Sequence, residues 1–173
     1  MSRKIILNIA MSIDGYIAAE DGSFDWIGGD GNSKLDTKEK FNFESFMEDV
    51  DLVVMGKNCY EQGFADDYND KTVYVATTES LEDHDNVKFI KGDIVKTILE
   101  EKEKEGKNIY LFGGGILLDP FIKADVIDEY IIGIIPTILG SGKKLFLLNN
   151  PEILLNLQEY YVDNGIIIGR YSK

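Results

Sequence analysis

One cysteine and one histidine in 173 residues remove two kinds of chemistry. Cys59 has no partner for an internal disulfide, and Cys59 with His84 cannot build a Cys/His metal cluster, so no metal site is expected. Lys and Arg number 18 against 31 Asp and Glu, a formal charge of −13. Nucleic acid and anionic membrane surfaces repel such a chain at long range, and neither is expected as a partner. No apolar run approaches membrane-spanning length, and the opening Met-Ser-Arg-Lys-Ile-Ile-Leu-Asn meets a polar residue too early for a secretory hydrophobic segment. The expected location is the cytoplasm. The spaced glycines of the ordinary dinucleotide fingerprint are missing, as is the Walker lysine motif of nucleoside triphosphatases. What the chain does have is length for a single domain over 1–173, with hydrophobic and charged shares of 44% and 28% that suit a globular protein.

Its most informative stretch is Asn108-Ile-Tyr-Leu-Phe-Gly-Gly-Gly-Ile-Leu-Leu118. A short β-forming run stops on three glycines and continues into aliphatic residues, the pattern of a buried strand feeding a helix. Helix starts carry free N–H groups and partial positive charge, and glycines let an anion approach the backbone. A tight turn without ligand is the plainer alternative. Asp51-Leu-Val-Val-Met-Gly56-Lys57-Asn58-Cys59-Tyr60 repeats the strand–glycine–helix arrangement. Together the two junctions could hold a diphosphate, with Lys57 as counter-charge.

Around these, Lys4 to Met11 is apolar on both faces and predicts a central strand. Asp14-Gly15 marks a turn, with Asp14 as turn former or ligand contact. Residues 23–36 form a long polar loop around the lone Trp26. Asp36-Thr-Lys-Glu39 has capping-box spacing, and Phe43, Phe46, Met47 and Val50 share one helical face, which predicts a helix ending near Asp49. Trp26 and Phe46 are either core residues or walls for a flat aromatic substrate. Strands are predicted over 71–76 and 87–90. Next comes a helix capped by Asp93 that buries Ile94, Val95, Ile98 and Leu99 and ends at Gly106. Asp119-Pro120 fits a helix start or restart. His84, in a polar loop, reads as an exposed side chain rather than a base. Cys59 reads either as a thiol with a pKa lowered by a helix start or as a small packing residue. The final strands flank Asp163-Asn164-Gly165, a hairpin signal. The pattern is βαβ units followed by an antiparallel finish, hence a mixed sheet whose ligands bind at the carboxyl ends of its parallel strands.

Several segments in consistent order then carry a resemblance. Ser12-x-Asp14-Gly15-x-Ile17, the Asp51 to Tyr60 segment, Leu111-Phe112-Gly113-Gly114-Gly115, Ile127-Asp128-Glu129-Tyr130 and Pro136-x-Ile-Leu-Gly140-Ser-Gly142-x-x-Leu-Phe146 are similar to bacterial dihydrofolate-reductase-like proteins. These are grouped with the reductase domain of the riboflavin-biosynthesis deaminase-reductase. The resemblance implies an α/β, three-layer dihydrofolate-reductase-like fold, with a mixed, mainly parallel sheet, a C-terminal antiparallel hairpin and flanking helices. It also implies NADPH across the strand ends, with NADH not excluded. Gly113, Gly114 and Gly115 would meet the pyrophosphate, with a cis peptide between the first two. Gly56, Lys57, Asn58 and Cys59 would take its other flank. Thr77 and Thr78 would lie at the adenosine 2′-phosphate, Lys91 near adenine, and Ala10, Ile17, Phe112 and Ile116 beside nicotinamide.

Four departures from the family pattern stand out. Lys57 replaces an arginine, Cys59 a threonine, and Thr77-Thr78 a Ser/Arg pair. Lys40, with Phe41 and Glu44 around it, falls where dihydrofolate reductases carry a carboxylate for the pterin ring. The resulting expectation is an NADPH-dependent oxidoreductase for a small planar heterocycle or carbonyl compound, with Asp14, Trp26 and Phe46 as pocket residues and no assigned catalytic residue. A nucleotide- or pterin-binding module without turnover is the alternative, a purely structural homodimer a third. A homodimer is expected from the resemblance alone.

Overall fold

A computed structural model of the chain describes residues 2–173. Strand β1 (Ile5–Ser12) is followed by β2 (Tyr16–Ala18), helix α1 (Phe43–Glu48), β3 (Val50–Gly56), α2 (Lys57–Glu61) and a 3-10 turn, Phe64–Tyr68. Then come β4 (Thr72–Thr77), β5 (Val87–Lys91), α3 (Ile94–Lys102), β6 (Asn108–Gly113), α4 (Gly115–Lys123) and β7 (Glu129–Ile135). The chain finishes with β8 (Lys143–Lys144), β9 (Asn156–Asp163) and β10 (Ile166–Ser172). Eight strands form one sheet in the order β5-β4-β3-β6-β1-β7-β10-β9, while β2 and β8 pair separately.

β1 lies inside the sheet, parallel to both β6 and β7, because neither of its faces tolerates water. Ile5, Leu7, Leu52, Val54, Ile109 and Leu111 pack beneath α3 and α4 through Ile94, Ile98, Leu118, Phe121 and Ile122. On the opposite face Val53, Met55, Val73, Val75 and Tyr110 meet Ala65 and Tyr68, with Phe46, Met47, Cys59 and Tyr60 from α1 and α2 packed around them. Full burial of one such side chain is worth about 1.5–3 kcal/mol, so both layers hold the sheet. The chain closes on a two-residue hairpin: Asn164 and Gly165 have φ of 48° and 82°, and Asp163 pairs with Ile166.

Several local expectations need correction. Asp36 does not start a helix; its carboxylate accepts from the Lys40 ammonium at 2.6 Å and the Asn164 amide at 2.8 Å. The helix begins six residues later, where Asn42 Oδ1 accepts from the Ser45 amide at 3.0 Å, and Val50 belongs to β3. Its six residues are shorter than the apolar spacing predicted. In α3 the Asp93 cap forms, but Leu99 is exposed and the helix stops at Lys102, before Gly106. Asp119-Pro120 neither begins nor restarts a helix, since α4 runs from Gly115 with Pro120 inside it. Ile116, whose carbonyl loses its usual helical partner to that proline, is 82% exposed.

Candidate functional site

β5, β4, β3, β6 and β1 are adjacent and parallel, so Lys91, Thr77, Gly56, Gly113 and Ser12 end in one row. Four inter-strand spacings make that row roughly 19 Å long, the scale of an extended dinucleotide. The two glycine junctions meet in its middle, where Met55 registers with Gly113. No side chain caps the start of α2 or α4 among the described residues, which leaves backbone N–H groups directed at the row.

The glycines there differ in purpose. Gly113 has φ +123°, a conformation that L side chains rarely adopt, and the Gly113–Gly114 peptide is cis. A Cβ on Gly115 would overlap the Lys144 carbonyl oxygen of β8, so packing requires that glycine. Gly56 and Gly114 have no such reason. Both have extended backbones, and an added Cβ would make only ordinary contact, 3.8 Å from Leu117 Cβ and from Ile17 Cδ1 respectively. On neighbouring strand ends, they leave backbone bare where the fold does not ask for it.

Lys57 is held by carboxylates. Its ammonium donates to Glu79 at 2.6 Å and lies 3.3 Å from Glu61, and these pairings, Glu79 first, raise its pKa. Asn58 is exposed on the first turn of α2. Cys59 Sγ lies 3.5 Å from the Gly113 carbonyl oxygen, and burial raises the thiol's pKa, the reverse of a helix-start thiolate. Thr77 pairs in register with Lys91, and its hydroxyl accepts from the Glu79 amide at 3.0 Å; Thr78 is exposed beside it. Lys91 reaches Ser80 Oγ at 3.2 Å. These residues form one polar end of the row.

At the other end, Ala10 and Phe112 lie on the α1 face. Phe112 stacks within 5.1 Å of Phe64 and 5.9 Å of Tyr68. Ile17 packs against the opposite core, and Ile116 points into solvent at the start of α4. Asp14 is occupied structurally: it accepts from the Ser12 hydroxyl (2.5 Å) and the Leu139 and Gly140 amides (3.0 and 2.8 Å). These bonds, Ser12's above all, lower its pKa to about 2. It fastens the β1–β2 turn to the segment after β7. Phe46 stands edge-on to Tyr110 at 5.3 Å, with Phe41 6.2 Å away and Phe41 itself 5.9 Å from Tyr161. Trp26 rides on a loop anchored at both sides: the Phe24 ring lies 5.7 Å from Phe64, and the Asp30 amide donates to the Asn164 carbonyl at 2.8 Å. Trp26 itself is half-buried between these anchors.

Lys40 does not enter that face through a helix. It precedes α1 and binds Asp36 and, at 2.9 Å, the Val162 carbonyl. His84 is exposed as expected, though its ring also meets the Tyr60 hydroxyl at 2.8 Å. A cavity of about 300 Å³ around Arg3, Tyr74, Glu101 and Lys104 lies among groups that satisfy one another. Sequence reasoning missed Asn8, Tyr110, Tyr161 and Glu79, and named Phe41 only as a neighbour of Lys40. Asn8 had a visible signal, as the single polar residue between Ile5 and Met11.

Residues 3–69 and 64–166 match the family model described as the RibD C-terminal domain. The chain is 39% identical over 163 residues, 90% of each chain, to the uncharacterized protein YwjB of Bacillus subtilis (strain 168). It is 29% identical, with a TM-score of 0.82, to the crystal structure of a Shewanella sp. PV-4 protein named, provisionally, for riboflavin biosynthesis. That match covers 99% of this chain and 98% of the other. Dihydrofolate reductase from Enterococcus faecalis, solved with NADP(H), superposes with a TM-score of 0.67 at 17% identity, covering 99% and 98% of the two chains. The expected α/β dihydrofolate-reductase-like fold is therefore the observed one.

Proposed function

Because the chain belongs to the RibD C-terminal domain family, we propose that it is an NAD(P)H-dependent reductase, with NADPH the first cofactor to test, acting on a small planar heterocycle or carbonyl compound. The observation that carries this reading is the bare backbone at Gly56 and Gly114, two glycines the fold does not need, on adjacent strand ends beside an uncapped nine-residue helix. Such a surface suits a diphosphate.

Bound there, the cofactor would supply a hydride to the substrate. The chain's part is alignment and exclusion of water. Gly113 to Gly115 and Gly56 to Cys59 would hold the diphosphate. Thr77, Thr78 and Lys91 meet the adenosine end. Ala10 and Phe112 set the nicotinamide against the aromatic face, with Ile17 and Ile116 on the helix side of the cleft. A nucleotide- or pterin-binding module without turnover is the second reading, favoured by the carboxylates around Lys57. A homodimer belongs to the same proposal and is supported by Leu154, Leu157, Tyr160 and Ile167, all exposed.

Trp26, the only tryptophan, reports on binding. NADPH should quench its fluorescence, and Gly56→Ala should weaken binding at least tenfold while leaving thermal stability equal or slightly higher. Gly115→Ala should instead destabilise the fold itself, by about 1–3 kcal/mol. If millimolar NADPH and NADH both leave the fluorescence unchanged, the cofactor assignment is wrong. Loss of NADPH absorbance with pterins, flavin precursors or quinones separates the enzyme from the binder.

A further inference from the structure

The β2–β8 ribbon is separate from the main sheet, yet it is pressed against the glycine junction in the middle of the row. The Lys144 carbonyl oxygen fills the space that a Cβ on Gly115 would need, and Ile17 Cδ1 of β2 lies 3.8 Å from where a Cβ on Gly114 would stand. Other contacts fix the ribbon there. A Cβ on Gly142 would overlap the Ala18 carbonyl, the Leu145 amide donates to the Gly15 carbonyl at 3.0 Å, and Asp14 accepts from the Leu139 and Gly140 amides.

This ribbon brings two adjacent lysines, Lys143 and Lys144, to a chain in which 31 acidic residues outnumber 18 basic ones. Neither lysine makes an ion pair among the described residues, whereas Lys57 is held by two carboxylates. Successive strand residues point to opposite sides, so only one of the two ammonium groups can face the junction. That one is Lys143. Its Nζ lies 3.9 Å from where a Cβ on Gly22 would stand, in the loop after β2. Its charge also reaches α2: burial raises the Cys59 thiol's pKa, and the Lys143 ammonium is among the weaker influences that oppose this. Cys59 in turn sits 3.5 Å from the Gly113 carbonyl oxygen. Asp21 is near enough for Lys143 to help lower its pKa, but its bonds to Ser23 do so more strongly, the amide donating at 2.9 Å. The Lys143 ammonium thus stands beside the bare backbone without a carboxylate bound to it.

Resting on the reductase reading above, we propose that Lys143 is the principal cation for the cofactor's diphosphate, reaching it from the β2–β8 ribbon while the N–H groups of α2 and α4 hold it from the strand ends. To meet a phosphate, Lys57 must give up Glu79 and Glu61, and Lys143 gives up only water. The flexible four-carbon stem lets the ammonium follow the phosphate from the rim.

The test is calorimetric titration, at fixed ionic strength, of NADPH, NADH and ADP-ribose, the last carrying the diphosphate without nicotinamide or 2′-phosphate. Lys143→Met should weaken all three by a similar factor, roughly tenfold, and by more than Lys57→Met does. Lys143→Arg should keep most of the affinity, and Lys144→Met, on the other side of the ribbon, should bind as the wild type does. All these variants should melt at the wild-type temperature. Unchanged affinity in Lys143→Met, a loss confined to NADPH, which would put the ammonium on the 2′-phosphate, or an equal loss in Lys144→Met, which would mean general charge, overturns the proposal. So does a loss that accompanies a lower melting temperature in Lys143→Met and Lys143→Arg alike, which marks a structural lysine. A wild type that binds ADP-ribose but neither nicotinamide cofactor defeats the reductase reading, while the ADP-ribose arm still decides the role of Lys143. A wild type that binds none of the three overturns both.

Discussion

The Lys57 ammonium lies 2.6 Å from Glu79 and 3.3 Å from Glu61, so a phosphate arriving beside Gly56 competes with two carboxylates for one cation. Removing one competitor should help. Glu79→Gln is expected to tighten NADPH binding several-fold and Lys57→Ala to weaken it, both measured by Trp26 quenching. If Glu79→Gln weakens binding, Glu79 contacts the cofactor directly. The lysine was legible as a counter-charge in the sequence, but its partner was not, because 22 residues separate them and only the adjacency of β3 and β4 brings them together. Asp14 shows the same limit. Its turn role was readable beside Gly15, whereas the Leu139 and Gly140 amides are supplied by a segment 125 residues away. Its folded pKa of about 2 lies below the ordinary carboxylate value of about 4. The ionised form therefore stabilises the fold fully above pH 4, and that contribution is lost as the pH falls toward 2. Asp14→Asn should be less stable than the wild type at pH 6, and the gap should narrow in urea titrations carried down to pH 2. A pH-independent gap would mean that shape, not charge, holds the turn.

At the scale of elements, the loop before α1 is fixed by close backbone approach. A Cβ on Gly29 would overlap the Asn164 carbonyl oxygen, the group that accepts from Asp30. Gly29→Ala should release the loop from the hairpin tip, red-shift Trp26 emission and speed amide exchange at Asp30, while NADPH affinity changes little. Unaltered exchange at Asp30 would show that the loop holds by other contacts. Strands were the most readable elements, because unbroken runs such as Leu52-Val-Val-Met55 leave little choice of face or class. Helix starts were less so. Asp36 and Asn42 both carry side chains able to cap, and Asp36 was claimed by Lys40 and Asn164, the latter on a hairpin far along the chain. Asp119-Pro120 failed differently: α4 is already under way from Gly115, and Pro120 is tolerated within it. The aromatic face was the least legible part. Phe41, Tyr110 and Tyr161 come from a loop and two strands, and no spacing within any one segment announces that they meet.

The whole molecule carries a formal charge of −13, and its proposed cofactor is also an anion. At low ionic strength the summed field repels that ligand before it reaches the local N–H groups at Gly56 and Gly114, which act only at short range. Added salt shortens the range of the repulsion, with a Debye length of about 30 Å at 0.01 M and about 8 Å at 0.15 M, while leaving close contacts less affected. Association should therefore accelerate with salt, opposite to the behaviour of a cofactor drawn in by a basic cleft. Stopped-flow quenching of Trp26 by NADPH, compared at 0.01 M and 0.15 M sodium chloride, should show the association rate rising by roughly 2- to 10-fold, with a much smaller change in dissociation. A rate that falls over this range would mean that Lys57, Lys91 and the helix starts create a positive entrance strong enough to outweigh the rest of the surface. In that case the carboxylates beside Lys57 would be too weakly coupled to hold it, and Glu79→Gln should then leave NADPH affinity unchanged.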